Sequence, residues 1–310
     1  MKPRHRLPEW LTRPLADPSE TRTVRRTVSV RGLNTVCDEA RCPNRGECFS
    51  SGTATFMILG DRCTRNCRFC AVEHGEPVES DPGEPLRVAD AARELGLDFV
   101  VVTSVTRDDL PDGGAGQFAA TIRAVKGASA AIGVEVLVPD FLGDRRSVET
   151  VLEAGPQVFG HNVETVSRLH ERVRPGAVYG RSLDVLAWAS ENSVHAAVKS
   201  GLMLGLGETR DELLSTLREL RDCGVEILFL GQYLSPSQSH VPVERFVTPE
   251  EFEEMANIAR TMGFGWVSSG PLVRSSYRAR EAAEAVAEAA LERSDGASLD
   301  RRRLHRKEPQ

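Results

Sequence analysis

The sequence has no apolar run approaching the roughly eighteen residues that a membrane-spanning helix needs. Its first segment, Met1 to Thr23, is rich in Arg, Pro and charge and lacks the apolar core of a secretory signal. These absences lead us to expect a cytoplasmic protein with reduced cysteines, and they argue against a disulfide framework. Lysine is scarce: Lys2, Lys126, Lys199 and Lys307 are the whole complement, so nearly all cationic charge is arginine. A net charge of −6 gives no basic surplus for non-specific nucleic-acid binding. The nearest approach to a dinucleotide loop, Gly201 to Glu208, departs from the G-x-G-x-x-G spacing, which excludes a Rossmann site. No convincing His/Asp or Ser/His pair stands out.

What is present is cysteine, concentrated in one place. Cys37, Cys42 and Cys48 are spaced C-x4-C-x5-C, and Cys63, Cys67 and Cys70 are spaced C-x3-C-x2-C. Zinc ribbons more often carry paired C-x2-C units and four ligands, whereas here Cys67 and Cys70 form a lone C-x2-C and the nearest histidine is His74. Zinc and iron–sulfur cubes both normally take four ligands, so a triplet leaves one corner for something other than cysteine. When that corner is iron, a small molecule can chelate it. Two iron–sulfur clusters are the favoured reading, and catalysis the favoured use.

From Leu86 onward, apolar β-branched runs alternate with amphipathic segments. Strands are expected near 54–59, 99–103, 134–138, 158–163, 196–204, 227–230 and 266–268, with helices at 117–130, 145–153, 182–191, 208–223 and 249–262. Thr248 with Glu251 three residues on forms a capping box for the last of these. The alternation means βαβ units and a parallel sheet. Six or so units are too few for a closed eightfold barrel, so the expected fold is α/β, a partial open (β/α)6 barrel. Residues 1–51 read as an N-terminal extension carrying the first triplet, 52–277 as the barrel, and 278–310 as a C-terminal helix with a polar, frayed tail from Ser294 onward. The run Arg301-Arg302-Arg303 reads as solvated.

Cys63 begins just after the first expected strand, at the carboxyl end where α/β folds bind ligands. C-x3-C-x2-C with the aromatic Phe69 before its last cysteine resembles the signature of the radical S-adenosylmethionine superfamily. That resemblance implies a 4Fe–4S cluster on Cys63, Cys67 and Cys70, whose open iron is chelated by the methionine moiety of S-adenosylmethionine, and cleavage to a 5′-deoxyadenosyl radical. Phe69 would pack against the cluster or a ligand. Asn162 and Glu164 either meet ribose or methionine at the end of their strand or cap a helix. Arg181 either reaches a carboxylate or makes a surface ion pair. Gly205 ends a strand of small residues that permits close approach of a flat adenosine. The loop SVTRDDLPDGG, Ser104 to Gly114, either is solvated or receives the ligand's ammonium.

Longer segments narrow the resemblance. VCDEARCPNRGEC, CTRNCRFC, TSVTRDDLPDGGA, KSGLMLGLGET, GQYLSPSQSHVPVERFVTPEEF and SGPLVRSSY make the chain similar to the lipoyl synthase family from about Leu7 to Tyr277. Phe49 stands where that family commonly has Trp, and Gln117 where a His is frequent. The resemblance implies insertion of two sulfur atoms at C6 and C8 of an octanoyl-lysine on a lipoyl-carrier protein, by a sulfurtransferase using two 4Fe–4S clusters. Cys37, Cys42 and Cys48 would hold the auxiliary, sulfur-donating cluster, with a serine of RSSY, Ser276, as fourth ligand. A hydroxyl cap ahead of the following helix is the other role open to Ser275 and Ser276. Implied partners are octanoylated 2-oxoacid dehydrogenase E2 subunits and glycine cleavage H protein, a flavodoxin or ferredoxin electron donor and a cluster-repair carrier, with no nucleic acid and no membrane. His161, His170, His195 and His240 would be structural or substrate-lining. A biotin synthase-like or methylthiotransferase-like enzyme would place its second set of ligands differently, and RSSY speaks against it. A non-catalytic zinc protein would contain zinc and no acid-labile sulfide.

Overall fold

The computed structural model describes residues 7–12, 18–39, 42, 44, 47–48 and 53–304. Phe49, other parts of the expected extension, and 305–310 lie outside the described residues. Helix α1 (Pro18–Val30), the two-residue strand β1 (Asn34–Thr35) and the turn α2 (Val36–Glu39) precede the repeat. Then come β2 (Thr53–Ile58), α3 (Glu84–Glu94), β3 (Phe99–Ser104), α4 (Ala115–Ala128), β4 (Gly133–Leu137), α5 (Arg145–Glu153) and β5 (Val158–Gly160). Helices α6 (Ser167–Val173) and α7 (Tyr179–Asn192) lead to β6 (Ala197–Leu204), α8 (Arg210–Asp222), β7 (Ile227–Gln232), α9 (Pro249–Thr261), β8 (Trp266–Gly270) and α10 (Ala279–Leu304).

The sheet runs in chain order, β1 to β8, with β2 through β8 all parallel and β1 antiparallel on the edge of β2. The ladder is linear, so this is the open partial barrel that the alternation predicts. Strand β8 is its seventh parallel member.

Two-sided burial explains the unbroken apolar run of β3. Val100 and Val102 face the main core under the outer helices, with Phe118 and Ile122 of α4, while Phe99 and Val101 face the barrel interior. That interior also takes Val158, Ala197, Ile227 and Phe229 from the starts of their strands, and Ala279, Ala282, Ala283 and Val286 of α10. The C-terminal helix therefore plugs the amino end of the barrel, and its small alanines let it sit close. It continues to Leu304 where a frayed tail was expected, in keeping with its Ala, Glu and Arg content. Both halves of the Thr248–Glu251 capping box are present, and Thr209 with Glu212 forms another at α8. Helices α1, α3 and α6 have no counterpart in the sequence reading, which expected the N-terminal extension to be loop-rich; α6, at seven residues, carries too little periodicity to register.

One charged pair lies inside the barrel. Lys199 of β6 pairs with the Glu135 carboxylate of β4, both fully buried, and its ammonium lies 4.3 Å from the Phe229 ring centroid. Burial pushes the Glu135 carboxyl up and the Lys199 ammonium down. Breaking such a pair strands the remaining charge. Lys199→Met is expected to destabilise the fold by about 3–5 kcal/mol, and Lys199→Met with Glu135→Leu to recover most of it. Urea unfolding midpoints of the two variants check this, and equal midpoints would contradict it.

Candidate active site at the mouth of the barrel

The chain leaves β2 through Leu59 and Gly60, both at positive φ (69° and 91°), and turns sharply into the second cysteine triplet. Cys63 is fixed on both sides: its N–H donates to Glu73 O (2.8 Å) and its carbonyl accepts from Gly75 N (3.0 Å). Its Sγ accepts N–H groups from Arg65 (3.4 Å) and Thr106 (3.3 Å). Cys63, Cys67 and Cys70 are all half-buried, and none is in a disulfide. Burial pushes the Cys67 thiol up, the Arg174 charge opposes this, and Cys63 adds to it. The Cys70 thiol is pushed up to about 12 by burial, with Cys67 and Cys63 contributing as like charges. Burial makes Cys67 and Cys70 costly to ionise, so a cationic centre is what would draw their protons off.

Arg65, within the triplet, ties this loop to two other strand ends. It grips Asp108 with a fork (Nε–Oδ2 2.6 Å, Nη2–Oδ1 2.8 Å) and donates through Nη2 to Asp140 Oδ1 (2.6 Å). Burial works against the guanidinium, but Asp108 and Asp140 outweigh it and hold its proton more tightly than usual. Asp140 is fully buried; burial would raise its carboxyl, but Arg65 dominates and brings it down to about 2. Thr64 adds bonds from its N–H and hydroxyl to Thr106 O (3.0 and 2.9 Å). The loop SVTRDDLPDGG therefore spends its acidic groups on the protein itself: Asp108 on Arg65, Asp109 on Arg107, and Asp112 on the amides of Gly114 and Gly116.

The far wall comes from β5 and the chain after it. Asn162 Nδ2 donates to Glu164 Oε1 (3.1 Å), and Glu164 takes a left-handed φ of 67° that Glu rarely adopts. Burial pushes the Glu164 carboxyl up, with Arg174 and Asn162 opposing. Arg174 is buried beside them, with Nη1 donating to Asn162 O (2.8 Å). His161 is held by Val138 O and Ser182 Oγ (2.8 and 2.9 Å), and burial, with Arg174 adding, drives it down to about 4. Both ring nitrogens thus have partners, and the ring is neutral near pH 7. The 240–241 segment packs onto the triplet loop: Val241 N donates to Arg68 O (2.9 Å) and the His240 side chain meets Cys70 O through Nε2 (2.9 Å).

The first triplet and the RSSY segment are distant in sequence and adjacent in space. Asn44, between Cys42 and Cys48, donates to Leu272 O (2.6 Å), and Tyr277 OH donates to Glu47 Oε1 (2.8 Å). Burial disfavours the Arg274 cation, and Cys42 acts on it electrostatically in the opposite sense. Ser275 Oγ donates to Asn162 Oδ1 (3.4 Å), joining RSSY to the wall of the other site. Cys37 is buried, and Cys42, Cys48 and Ser276 are half-buried.

Other expected residues find partners within the chain. Phe69 packs in a satellite cluster with Val166, Leu169, Val173 and Tyr233. Arg181 pairs with Asp140 (3.3 Å). Gly205 sits at φ 95°, where a Cβ would lie 2.4 Å from Arg245 O and 2.3 Å from Gln232 Nε2, so the close approach there is made by the chain's own backbone and side chain. Gln117 donates to Asp81 O and Glu84 Oε2 (2.9 and 3.0 Å). Sequence reasoning missed Arg65, Asp140 and Arg174. Buried arginine and aspartate in polar loops carry no local signal of burial.

The Radical SAM superfamily model matches residues 57–220. Lipoyl synthase of Rubrobacter xylanophilus is 52% identical over 288 residues, covering 93% of this chain and 90% of that protein. Lipoyl synthase of Methylococcus capsulatus is 53% identical over 282 residues (91% and 88%), and that of Caldanaerobacter subterraneus 54% over 275 (88% and 96%). Among solved structures, Streptococcus suis SuiB bound to precursor peptide SuiA has a TM-score of 0.56 at 12% identity, covering 83% of this chain and 55% of SuiB. HydG, a maturase of the FeFe-hydrogenase, has a TM-score of 0.56 at 15% identity, with 80% and 66% covered. Both structural likenesses are of fold alone.

The Asp140 carboxyl gives a pH test. Its value of about 2 lies below the ordinary 3.8, so it stabilises the fold above pH 3.8 and loses that contribution as pH falls toward 2. Asp140→Asn should cost about 2 kcal/mol at neutral pH and flatten the acid limb of the stability curve. Urea titrations at several pH values read this; an acid limb identical to wild type would refute it.

Proposed function

Because the chain belongs to the lipoyl synthase family of the Radical SAM superfamily, we propose that its two cysteine triplets divide the labour of sulfur insertion. Its activity is that of a sulfurtransferase acting on octanoylated lipoyl-carrier protein, with S-adenosylmethionine and two 4Fe–4S clusters as cofactors. Cys63, Cys67 and Cys70 hold the radical-generating cluster. Cys37, Cys42 and Cys48 hold the auxiliary cluster, with Ser276 as its fourth ligand. The observation that carries this reading is the attachment of RSSY to the first triplet through Asn44–Leu272 and Tyr277–Glu47. Ser275 already uses its hydroxyl on Asn162, which favours Ser276 as the ligand.

The residues present fit these groups. Three soft thiol donors stand at the carboxyl end of β2, and Cys63 Sγ receives two N–H groups of the kind that tune cluster sulfur. When bound, the clusters supply the electron that cleaves the sulfonium and the sulfur that is inserted. The protein's own part is to hold and to shield. Arg65 immobilises the loop, the 240–241 segment packs onto it, and Asn162 with Glu164 offers polar atoms on the facing wall. An octanoyl C–H bond lies beyond the reach of acid–base groups, and His161 has both ring nitrogens engaged by Val138 O and Ser182 Oγ.

Among the described residues no helix is long and apolar enough to cross a membrane. Our reading assigns the enzyme to the cytoplasm, with 2-oxoacid dehydrogenase E2 subunits and glycine cleavage H protein as carriers. A flavodoxin or ferredoxin supplies the electrons, and a cluster-repair carrier restores the auxiliary site.

Replacing Cys63, Cys67 and Cys70 together with Ala should leave about half the iron and abolish 5′-deoxyadenosine formation. Deoxyadenosine from that variant would overturn the assignment of the radical site. Cys42→Ala should still form deoxyadenosine and make no lipoyl product, and lipoyl product in sulfide-free buffer would remove its sulfur-donor role. Ser276→Ala should lose product while Ser275→Ala retains it; the reverse pattern assigns the neighbouring serine, and two active variants leave RSSY a helix cap.

A further inference from the structure

We propose that Arg174 is an electrostatic positioning residue that makes the cluster on Cys63, Cys67 and Cys70 easier to reduce, acting from the end of α6 and without touching the thiols. This rests on the assignment of that triplet above. Arg174 is 8% exposed, so its guanidinium is withdrawn from solvent. Its Nη1 donates to two carbonyls, Asn162 O (2.8 Å) and Val163 O (3.5 Å), and its Nε has no hydrogen-bond partner. Its hydrogen bonds go to carbonyls, which fix its position without carrying a counter-charge. Arg65 is the contrast: it lies inside the triplet, but Asp108 and Asp140 neutralise it.

The placement is rigid. Arg174 follows directly on α6, and Val173 O accepts the N–H of Arg68, next to Cys67 (2.9 Å). Arg68 lies between Cys67 and Cys70 in the chain, so this bond sets the end of α6, and Arg174 with it, against the triplet loop. Its other charged neighbour is Glu164, whose carboxyl burial pushes toward the neutral form. His161 and His170 are both driven down to about 4, so neither adds charge at neutral pH.

Reduction adds one negative charge to a thiolate-bound cluster, and a fixed cation nearby favours the reduced form. A unit charge within about 10 Å, at an effective dielectric of about 20, changes a one-electron equilibrium on the order of tenfold. Arg174→Gln should therefore lower the reduced-to-oxidised ratio at fixed poise about tenfold, a fall of ~59 mV. Arg174→Lys should keep the parent ratio.

The measurement is an electron paramagnetic resonance redox titration with dithionite, in full-length protein carrying Cys37→Ala, Cys42→Ala and Cys48→Ala, so that one cluster remains. S-adenosylmethionine is omitted, which separates the effect from ligand binding. If Arg174→Gln does not retain iron, Arg174→His at pH 8 makes the same exchange of cation for neutral side chain. A potential unchanged in the neutral variant, or equally lowered in Arg174→Lys, overturns the proposal. A signal that survives further replacement of Cys63 overturns the triplet assignment and the proposal with it.

Discussion

The grip of Arg65 on Asp108 and Asp140 is the interaction on which the site depends. A connection of 25 residues, 59–83, follows β2, and without an anchor its cysteines would wander over the barrel mouth. One guanidinium joins that loop to the ends of β3 and β4, and its burial makes each bond strong and each loss expensive. Thr64 and Thr106 add a backbone and hydroxyl seam along the same line. The loop is thereby anchored to the neighbouring strand ends, which thiols need if they are to meet a cluster in one arrangement.

The two ends of the barrel do different work. At the amino end, the alanine face of α10 closes the interior against water, over Phe99, Val101, Val158 and Phe229. Deeper inside, Lys199 and Glu135 pair where neither could stand alone. At the carboxyl end the strands finish in polar side chains and strained turns, with Glu164 left-handed beside Asn162. A chemistry that proceeds through carbon radicals needs this asymmetry, because water and stray hydrogen donors must be kept from one end while substrates enter at the other.

The first cysteine triplet is placed where an early and a late segment of the chain meet. Asn44 and Glu47 from the beginning reach Leu272 and Tyr277 from the last strand's exit, so RSSY lies between the two candidate centres, touching one through Tyr277 and the other through Ser275. A serine segment so placed is well suited to couple them.

Much of this protein is determined locally. Thiol spacing announces two clusters, because ligand chemistry depends on residues a few positions apart. Alternating strand and helix patterns announce an open parallel barrel, because burial on both faces leaves unbroken runs such as Phe99 to Thr103. The capping box at Thr248 is equally local. Only the folded chain decides which polar residues are buried and with whom. Arg65 meets Asp140 across 75 positions and Asn44 meets Leu272 across 228. Nothing in the polar stretch around Arg174 marks it as a buried cation, and the short helix before it has too few residues for a period. The reason is physical: local sequence sets backbone preference and ligand type, whereas burial and charge pairing are properties of surfaces brought together by the sheet.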